Sequence, residues 1–218
     1  MPTSRAKQLV AAAAKAPTSD PRVSYPAWYL HRWHFLPEGY LSRRSAAGYD
    51  HVIRNLYNLL VEDRTIGSVV SALRGCRPSS VLEVGCGPGR LLRAISNAGI
   101  GQERVGVDLS PYLLERAAKR LHGSGVRLAH GDGLALAAQE GEFDCAVASH
   151  YIGHLPANLR AAAVAELARV VRPGGHLLVV DHRWHASPAT DALKLVRRER
   201  QSLGAVNLSM FVRTEDKP

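Results

Sequence analysis

Glu83, Gly85, Gly87 and Gly89 stand in the run Val81-Leu82-Glu83-Val84-Gly85-Cys86-Gly87-Pro88-Gly89. Their types and spacing suit a nucleotide-like ligand. A short apolar strand that ends in a glycine-rich turn and opens a helix brings bare backbone against such a molecule. The helix that follows, over about 90–98, offers free N–H groups at its start. The carboxylate narrows the ligand class. Dinucleotide sites read G-x-G-x-x-G and face a pyrophosphate, whereas this run reads E-x-G-x-G-x-G. Glu83 would repel a diphosphate, but it suits a ligand with an ammonium or sulfonium charge. Nineteen residues past Gly89, Val105-Gly106-Val107-Asp108 is a second apolar strand that ends in an acid. A carboxylate at that distance holds a ribose diol in folds of this kind.

A third set of side chains could move protons. Ser149-His150-Tyr151-Ile152-Gly153-His154-Leu155 follows the strand predicted over Phe143–Ser149. Open α/β sheets bind ligands beyond the carboxyl ends of their strands, which is where this loop must sit. His150 lies nearest the strand end and is the preferred base; His154 and Tyr151 are the other candidates. His182, Trp184 and His185 follow the next strand and also reach that end, as substrate contacts. His182 and His185, at i and i+3, could ligate a metal with His150 or His154. No cluster of Asp and Asn accompanies them, so no metal is assigned.

These residues need a parallel sheet to position them. Short apolar strands alternate with helical patterns: strands over 81–84, 105–108, 126–129 and 143–149, and a fifth ending at Asp181. That order predicts a doubly wound α/β fold. Ser110 and Pro111 mark a helix start. Pro173-Gly174-Gly175 ends another helix before the fifth strand.

The landmarks together resemble the class I S-adenosylmethionine-dependent methyltransferases. They include the acid-flanked glycine turn, Asp108, His130-Gly131-Asp132-Gly133, the fourth strand, and Arg169-Val170-Val171-Arg172-Pro173-Gly174-Gly175. The resemblance covers about residues 77–183 and leans toward the ubiquinone/menaquinone-type, small-molecule branch. It implies S-adenosyl-L-methionine as cofactor and S-adenosyl-L-homocysteine as product. Glu83, Gly85, Cys86, Gly87 and Gly89 would then hold the methionine part, and Asp108 with Leu109 the ribose. Asp132 and Gly133 would hold the adenine, with Ser149 beside the cofactor. Tyr49-Asp50 resembles a Tyr-Asp pair whose Tyr approaches the methionine end. The family sheet is Rossmann-like, mostly parallel and seven-stranded. Here the residues after Asp181 read as one helix over about 190–203 and one strand over about 206–212, so a shortened C-terminal edge is expected.

Eight of the thirteen aromatic residues fall within 25–57. A parallel sheet does not need that concentration, and the stretch resembles the helical cap that closes such sites. Helices are predicted over about 26–35, 41–61 and 64–75. Most of the aromatics would fasten the cap down by burial. Tyr25, Tyr40 and Tyr49 are expected in the pocket. The expected organisation is a flexible tail over 1–24, or a short helix over 8–15 within it, a cap over 25–75, and a cofactor-binding domain over 76–218.

Composition sets further bounds. Three cysteines show neither a disulfide framework nor a zinc pattern, and no eighteen-residue apolar run occurs. A cytoplasmic protein is expected. The net charge of +9 leaves nucleic acid and an anionic lipid surface open, and the short C-terminal edge could be completed by another chain. Its densest run is Lys194, Arg197, Arg198 and Arg200, at helical spacing. The Asn/Asp-Pro-Pro-Tyr loop of amino-methylating nucleic-acid enzymes is absent, as is a Pro-Cys nucleophile. The paired acids of propylamine transferases are missing from the 149–155 loop. The favoured reading is methyl transfer to a small aromatic or phenolic acceptor. The alternatives are an RNA, protein or phospholipid acceptor, or cofactor binding without transfer.

Overall fold

A computed structural model of the chain describes residues 4–30, 38–52, 62–182, 190–201 and 205–215. Among the described residues, three helices precede the sheet: α1 (Ser4–Ala13), α2 (Arg43–Val52) and α3 (Asp63–Cys76), with a 3-10 turn at Ala27–Leu30. Then follow β1 (Ser80–Val84), α4 (Arg90–Asn97), β2 (Glu103–Asp108), α5 (Pro111–Arg120), β3 (Arg127–His130) and β4 (Phe143–Ser149). The chain continues through α6 (Arg160–Val170), β5 (Val171–His182), β6 (Leu193–Gln201) and β7 (Val206–Arg213).

The seven strands form one sheet in the order β3-β2-β1-β4-β5-β7-β6. Strands β1 to β5 pair in parallel, and β7 runs antiparallel to both β5 and β6. The parallel strands are buried on both faces, which explains their nearly unbroken apolar sequence. Leu82, Val84, Ala146, Ala148, Leu177 and Val179 pack on the side that holds Val164 and Leu167 of α6. Val81, Cys145, Val147, Leu178 and Val180 pack against Val69 and Leu73 of α3 and Leu91 and Ile95 of α4. Strand order reverses between β1 and β4, so a crevice opens beyond their carboxyl ends. Gly85 and Ser149 stand there side by side, because Val84 registers with Ala148.

The expectation of a shortened C-terminal edge is corrected. The edge is full: 193–201 is a strand, not part of a helix, and β6 and β7 complete seven strands. The helical spacing of its cations misled because β6 is an outer strand exposed along most of its length. It therefore lacks the in–out alternation that marks a half-buried strand. Within 1–24 the short helix is found as α1, with an earlier start, and its continuation is bonded to β3 and to the start of α5. Thr18 Oγ1 donates to Pro111 O (2.5 Å), and the Asp20 N–H donates to His130 Nδ1 (2.9 Å). Of the helices predicted in the cap, the first appears as the 3-10 turn at Ala27–Leu30 and the second as α2, followed by α3. The parts of those predictions over 31–35 and 53–61 lie outside the described residues.

Candidate active site

The glycine turn is lashed to β2. The N–H groups of Gly85 and Cys86 both donate to Val107 O, at 2.8 and 3.1 Å. Gly85 sits at φ 70°, where an L side chain is strained, and an added Cβ would stand 3.0 Å from Cδ2 of Tyr151. Gly87 turns its N–H onto Asp108 Oδ2 (2.8 Å), while the Ser110 N–H reaches Oδ1 (2.8 Å). Ser110 also caps α5: its Oγ accepts from the Leu113 N–H at 3.2 Å. Asp108 is thus fixed at the end of β2 by two backbone donors and keeps further lone pairs toward the crevice.

Three carboxylates surround this turn. Asp108 is 8% exposed, and burial pushes its carboxyl up to about 6 against the two N–H groups that favour its charge. Glu83 is 3% exposed and its Oε2 has no hydrogen-bond partner. Burial first, then the negative Asp108 and Glu62, hold it well above the ordinary carboxylate range. A buried acid with an open oxygen at the base of a crevice is a receptor for a cation. Asp132 makes an Asx turn, with Oδ1 accepting from the Leu134 N–H at 2.9 Å. Beside Glu83, Arg90 Nε lies 3.0 Å from Glu62 Oε2. Burial still carries the Glu62 carboxyl up to about 7.

The crevice is a cavity of about 740 Å³, open mouth included. Gly85, Gly87, Asp108, Leu109, Asp132 and Gly133 form its floor and one wall. Ser149, His150, Tyr151 and His154 form the wall beyond β4. Trp28, Tyr29, Tyr40 and Tyr49 roof it. The Tyr40 and Tyr49 rings meet edge-on at 5.1 Å, and Trp28 stands edge-on to Tyr29 at 5.6 Å.

The roof is bolted down at three points. The Ser110 hydroxyl donates to Tyr40 O at 2.5 Å. Asp50, next to Tyr49, is 5% exposed and takes Arg116 at 2.7 Å and Arg120 at 3.0 Å, both from α5. Burial would raise its carboxyl, but the two guanidinium groups outweigh that and lower it. The third bolt is His130. Its Nδ1 accepts from the Asp20 N–H at 2.9 Å, its Nε2 meets Leu109 O at 3.1 Å, and the Tyr25 hydroxyl lies 3.3 Å from Nε2. Those partners fix the neutral tautomer with hydrogen on Nε2, and burial lowers the tendency of this ring to protonate.

His150 is in the left-handed region at φ 54°, where a β-carbon is strained. Its N–H donates to Val180 O (2.7 Å), and its carbonyl accepts from His154 Nδ1. The ring of His182 lies 5.2 Å from that of His150. Asp181 ties β5 to the same loop, accepting from the N–H groups of Gly153 (2.5 Å) and His182 (2.8 Å). The Tyr151 hydroxyl is buried without a hydrogen-bond partner, and burial raises its pKa, so that it ionises less readily than an ordinary tyrosine. That ring is a wall rather than a ready base.

Most of the expected residues converge. Gly85, Gly87, Asp108, Leu109, Asp132, Gly133, Ser149, Tyr49 and Tyr40 line the cavity, as do His150, Tyr151 and His154. Glu83 and Cys86 border the adjoining pocket at the glycine turn, which shares Tyr49, Ser149 and His150 with the main cavity. Three stand elsewhere. Gly89 begins α4 with its back to Leu121, Tyr25 packs on His130 instead of lining the cavity, and His182 lies behind His150, outside the lining. Trp184 and His185 lie outside the described residues. Trp28, Tyr29, Leu113 and Leu155 line the cavity unforeseen. The density of aromatics in 25–57 could have flagged the first two.

Residues 81–175 match a family described as a methyltransferase domain. The ubiquinone biosynthesis O-methyltransferase of Thiobacillus denitrificans is 40% identical over 99 residues, which are 44% of this chain and 40% of that protein. Among solved structures, a TehB-like methyltransferase from Corynebacterium glutamicum superposes with a TM-score of 0.64 at 19% identity, over 79% of this chain and 100% of that one. The N-methyltransferase NodS of Bradyrhizobium japonicum, in complex with S-adenosyl-L-homocysteine, gives 0.60 at 22% identity, over 78% of this chain and 98% of that one. Both share the fold. The chain spans between a third and a half of the length of the curated relatives it matches.

Proposed function

We propose that this chain, whose residues 81–175 match a methyltransferase-domain family, uses S-adenosylmethionine to methylate a small molecule, with an aromatic or phenolic acceptor. One observation carries the reading. Glu83, with an open buried oxygen, and Asp108, with free lone pairs, flank one glycine turn, Asp108 beneath the aromatic roof and Glu83 in the pocket that adjoins it.

S-adenosylmethionine supplies an electrophilic methyl group and a neutral sulfide leaving group. The residues fit it. Glu83 answers the α-ammonium, Asp108 the two ribose hydroxyls, and Asp132 with Gly133 the adenine edge. Leu109 packs on the nucleoside. Protein side chains then have two tasks. Trp28, Tyr29, Tyr40 and Tyr49 keep water out and offer ring faces, which suit a charge that fades in the transition state. His150 takes the proton of an acceptor hydroxyl. Its strained backbone supports that role, since strain of this kind gathers where a side chain is held for use. His154 braces it through the His150 carbonyl, and Tyr151 walls the pocket. The ubiquinone-biosynthesis relative supports an aromatic acceptor.

Calorimetry with S-adenosyl-L-homocysteine tests the cofactor. A folded protein that takes up none sinks the proposal. For the base, His150→Gln should leave that binding within a few-fold and lower turnover about 100- to 10,000-fold. An unchanged turnover removes His150 from the reaction.

A further inference from the structure

Strand β6 ends the sheet, and no described strand pairs with its outer side. Its sequence is Leu-Lys-Leu-Val-Arg-Arg-Glu-Arg-Gln. Among the described residues, the large apolar side chains classed as exposed are Leu195 (43%) and Val196 (49%), adjacent on this strand. The register with β7 slips between Leu195 and Arg197, so Val196 sits in a bulge. Lys194, Arg197, Arg198 and Arg200, all exposed, surround that pair. The single acid, Glu199, is taken by Arg197 (Nε to Oε1, 2.6 Å) and by Gln201.

We infer that the β6 edge is a docking surface for an anionic lipid bilayer, with Leu195 and Val196 entering the interface and Lys194, Arg198 and Arg200 meeting lipid phosphates. The inference does not depend on the methyl-transfer reading. Charge complementarity chooses the occupant. Basic residues on both faces of the strand leave no single side to cover, so the contact is edge-on. A second copy pairing along this edge would bring like charges together across a bulge that interrupts the ladder, and both features oppose strand addition. A nucleic acid would be served by aromatic rings for stacking, and β6 has none. Paired aliphatic side chains inside a cationic rim match the bilayer interface instead. The edge also leads toward the site: Gln201 pairs with Val206, and Val206 with His182.

Co-sedimentation with vesicles tests this. One set holds phosphatidylcholine with phosphatidylglycerol at about 2:1, and the other phosphatidylcholine alone. The protein should pellet with the anionic set, stay soluble with the neutral set, and come off in about 0.5 M salt. The triple variant Lys194→Gln, Arg198→Gln, Arg200→Gln should weaken partitioning on the order of 100-fold, about fivefold per cation. Leu195→Asn with Val196→Asn should weaken it about tenfold. Glu199→Gln frees Arg197 and should strengthen it about fivefold, a gain that misfolding cannot mimic. Equal pelleting with both sets overturns the inference. So do variants that bind like the parent, tighter retention on poly-uridine than on vesicles, and a dimer abolished by the Leu195/Val196 change.

Discussion

Asp108→Asn offers the sharpest reading of the site, because one substitution shifts stability and ligand affinity in ways that can be worked out separately. The Asp108 carboxyl is held at about 6 rather than its ordinary 3.8. When ionised it therefore costs the folded state about 3 kcal/mol. The sign follows from proton binding. The folded chain keeps this proton to higher pH than the unfolded chain does. Stability is thus lost as pH rises from about 4 to about 6, and the loss is constant above. Asparagine carries no such cost. It does turn a donor toward either the Gly87 or the Ser110 N–H and orphans it, for about 1–3 kcal/mol at every pH. The variant should be less stable than the parent at pH 4 and about level with it at pH 7. The change in their difference is about 3 kcal/mol, or roughly 6–12 °C of Tm for a chain of this size. Thermal melts of both proteins at half-unit pH steps measure it. Affinity for S-adenosyl-L-homocysteine at pH 8 should fall about 10- to 150-fold, the worth of one charge-assisted hydrogen bond. Parallel Tm–pH curves together with an affinity change under threefold would refute both the buried charge and its hold on the sugar.

Other substitutions probe the remaining walls. Burial and the neighbouring Asp108 and Glu62 hold the Glu83 carboxyl above the ordinary carboxylate range, and an incoming ammonium should favour its charged form. S-adenosylmethionine binding should thus be coupled to proton release, read as a buffer-dependent calorimetric enthalpy, and Glu83→Gln should reduce that dependence. Gly133→Ala would put a Cβ 2.5 Å from the Tyr151 hydroxyl and from Val84 Cγ1. It should destabilise by about 1–3 kcal/mol, and Tyr151→Phe should restore part of this in a double-mutant cycle by denaturant unfolding. Tyr151→Phe alone should be neutral or slightly stabilising, since the hydroxyl it removes is buried without a partner. Asp50→Asn strips the anion from between Arg116 and Arg120 and should cost about 3 kcal/mol at pH 7 in urea melts. The Asp50 carboxyl is lowered in the fold, so its stabilisation is present above about pH 4 and vanishes as acid protonates it. Parent and variant should converge there.

The parallel half of the sheet was legible because each landmark is local. Glycine turns and a strand-ending acid are set by neighbouring residues, and β1 to β4 fall within two residues of where the sequence puts them; β5 starts about five residues early, at Val171, so that Pro173-Gly174-Gly175 lies inside it, where its register with β4 shifts. β6 was not legible. Exposure along an edge erases the alternation that distinguishes strand from helix, and its cations at i, i+3 and i+4 read as a helical stripe. The roof was half legible: aromatic density announced a cap, but not which rings face inward. Tyr25 turned to His130, a contact across 105 residues, and Trp28 and Tyr29 took the inward position. His130 itself carried no signal, since a histidine at a strand end looks the same whether it binds ligand or pins another segment.

The cavity has two origins along the chain. Gly85, Asp108, Asp132 and His150 belong to the span shared with known methyltransferases, while Trp28, Tyr29, Tyr40 and Tyr49 come before it. On the proposed reading, the nucleoside grip and the screen that chooses the guest are written in separate passages of sequence. Exchanging Trp28, Tyr29 and Tyr40 should then alter acceptor preference while leaving Glu83, Asp108 and Asp132 in place. A search guided by the shared span alone would meet the engine without the screen above it.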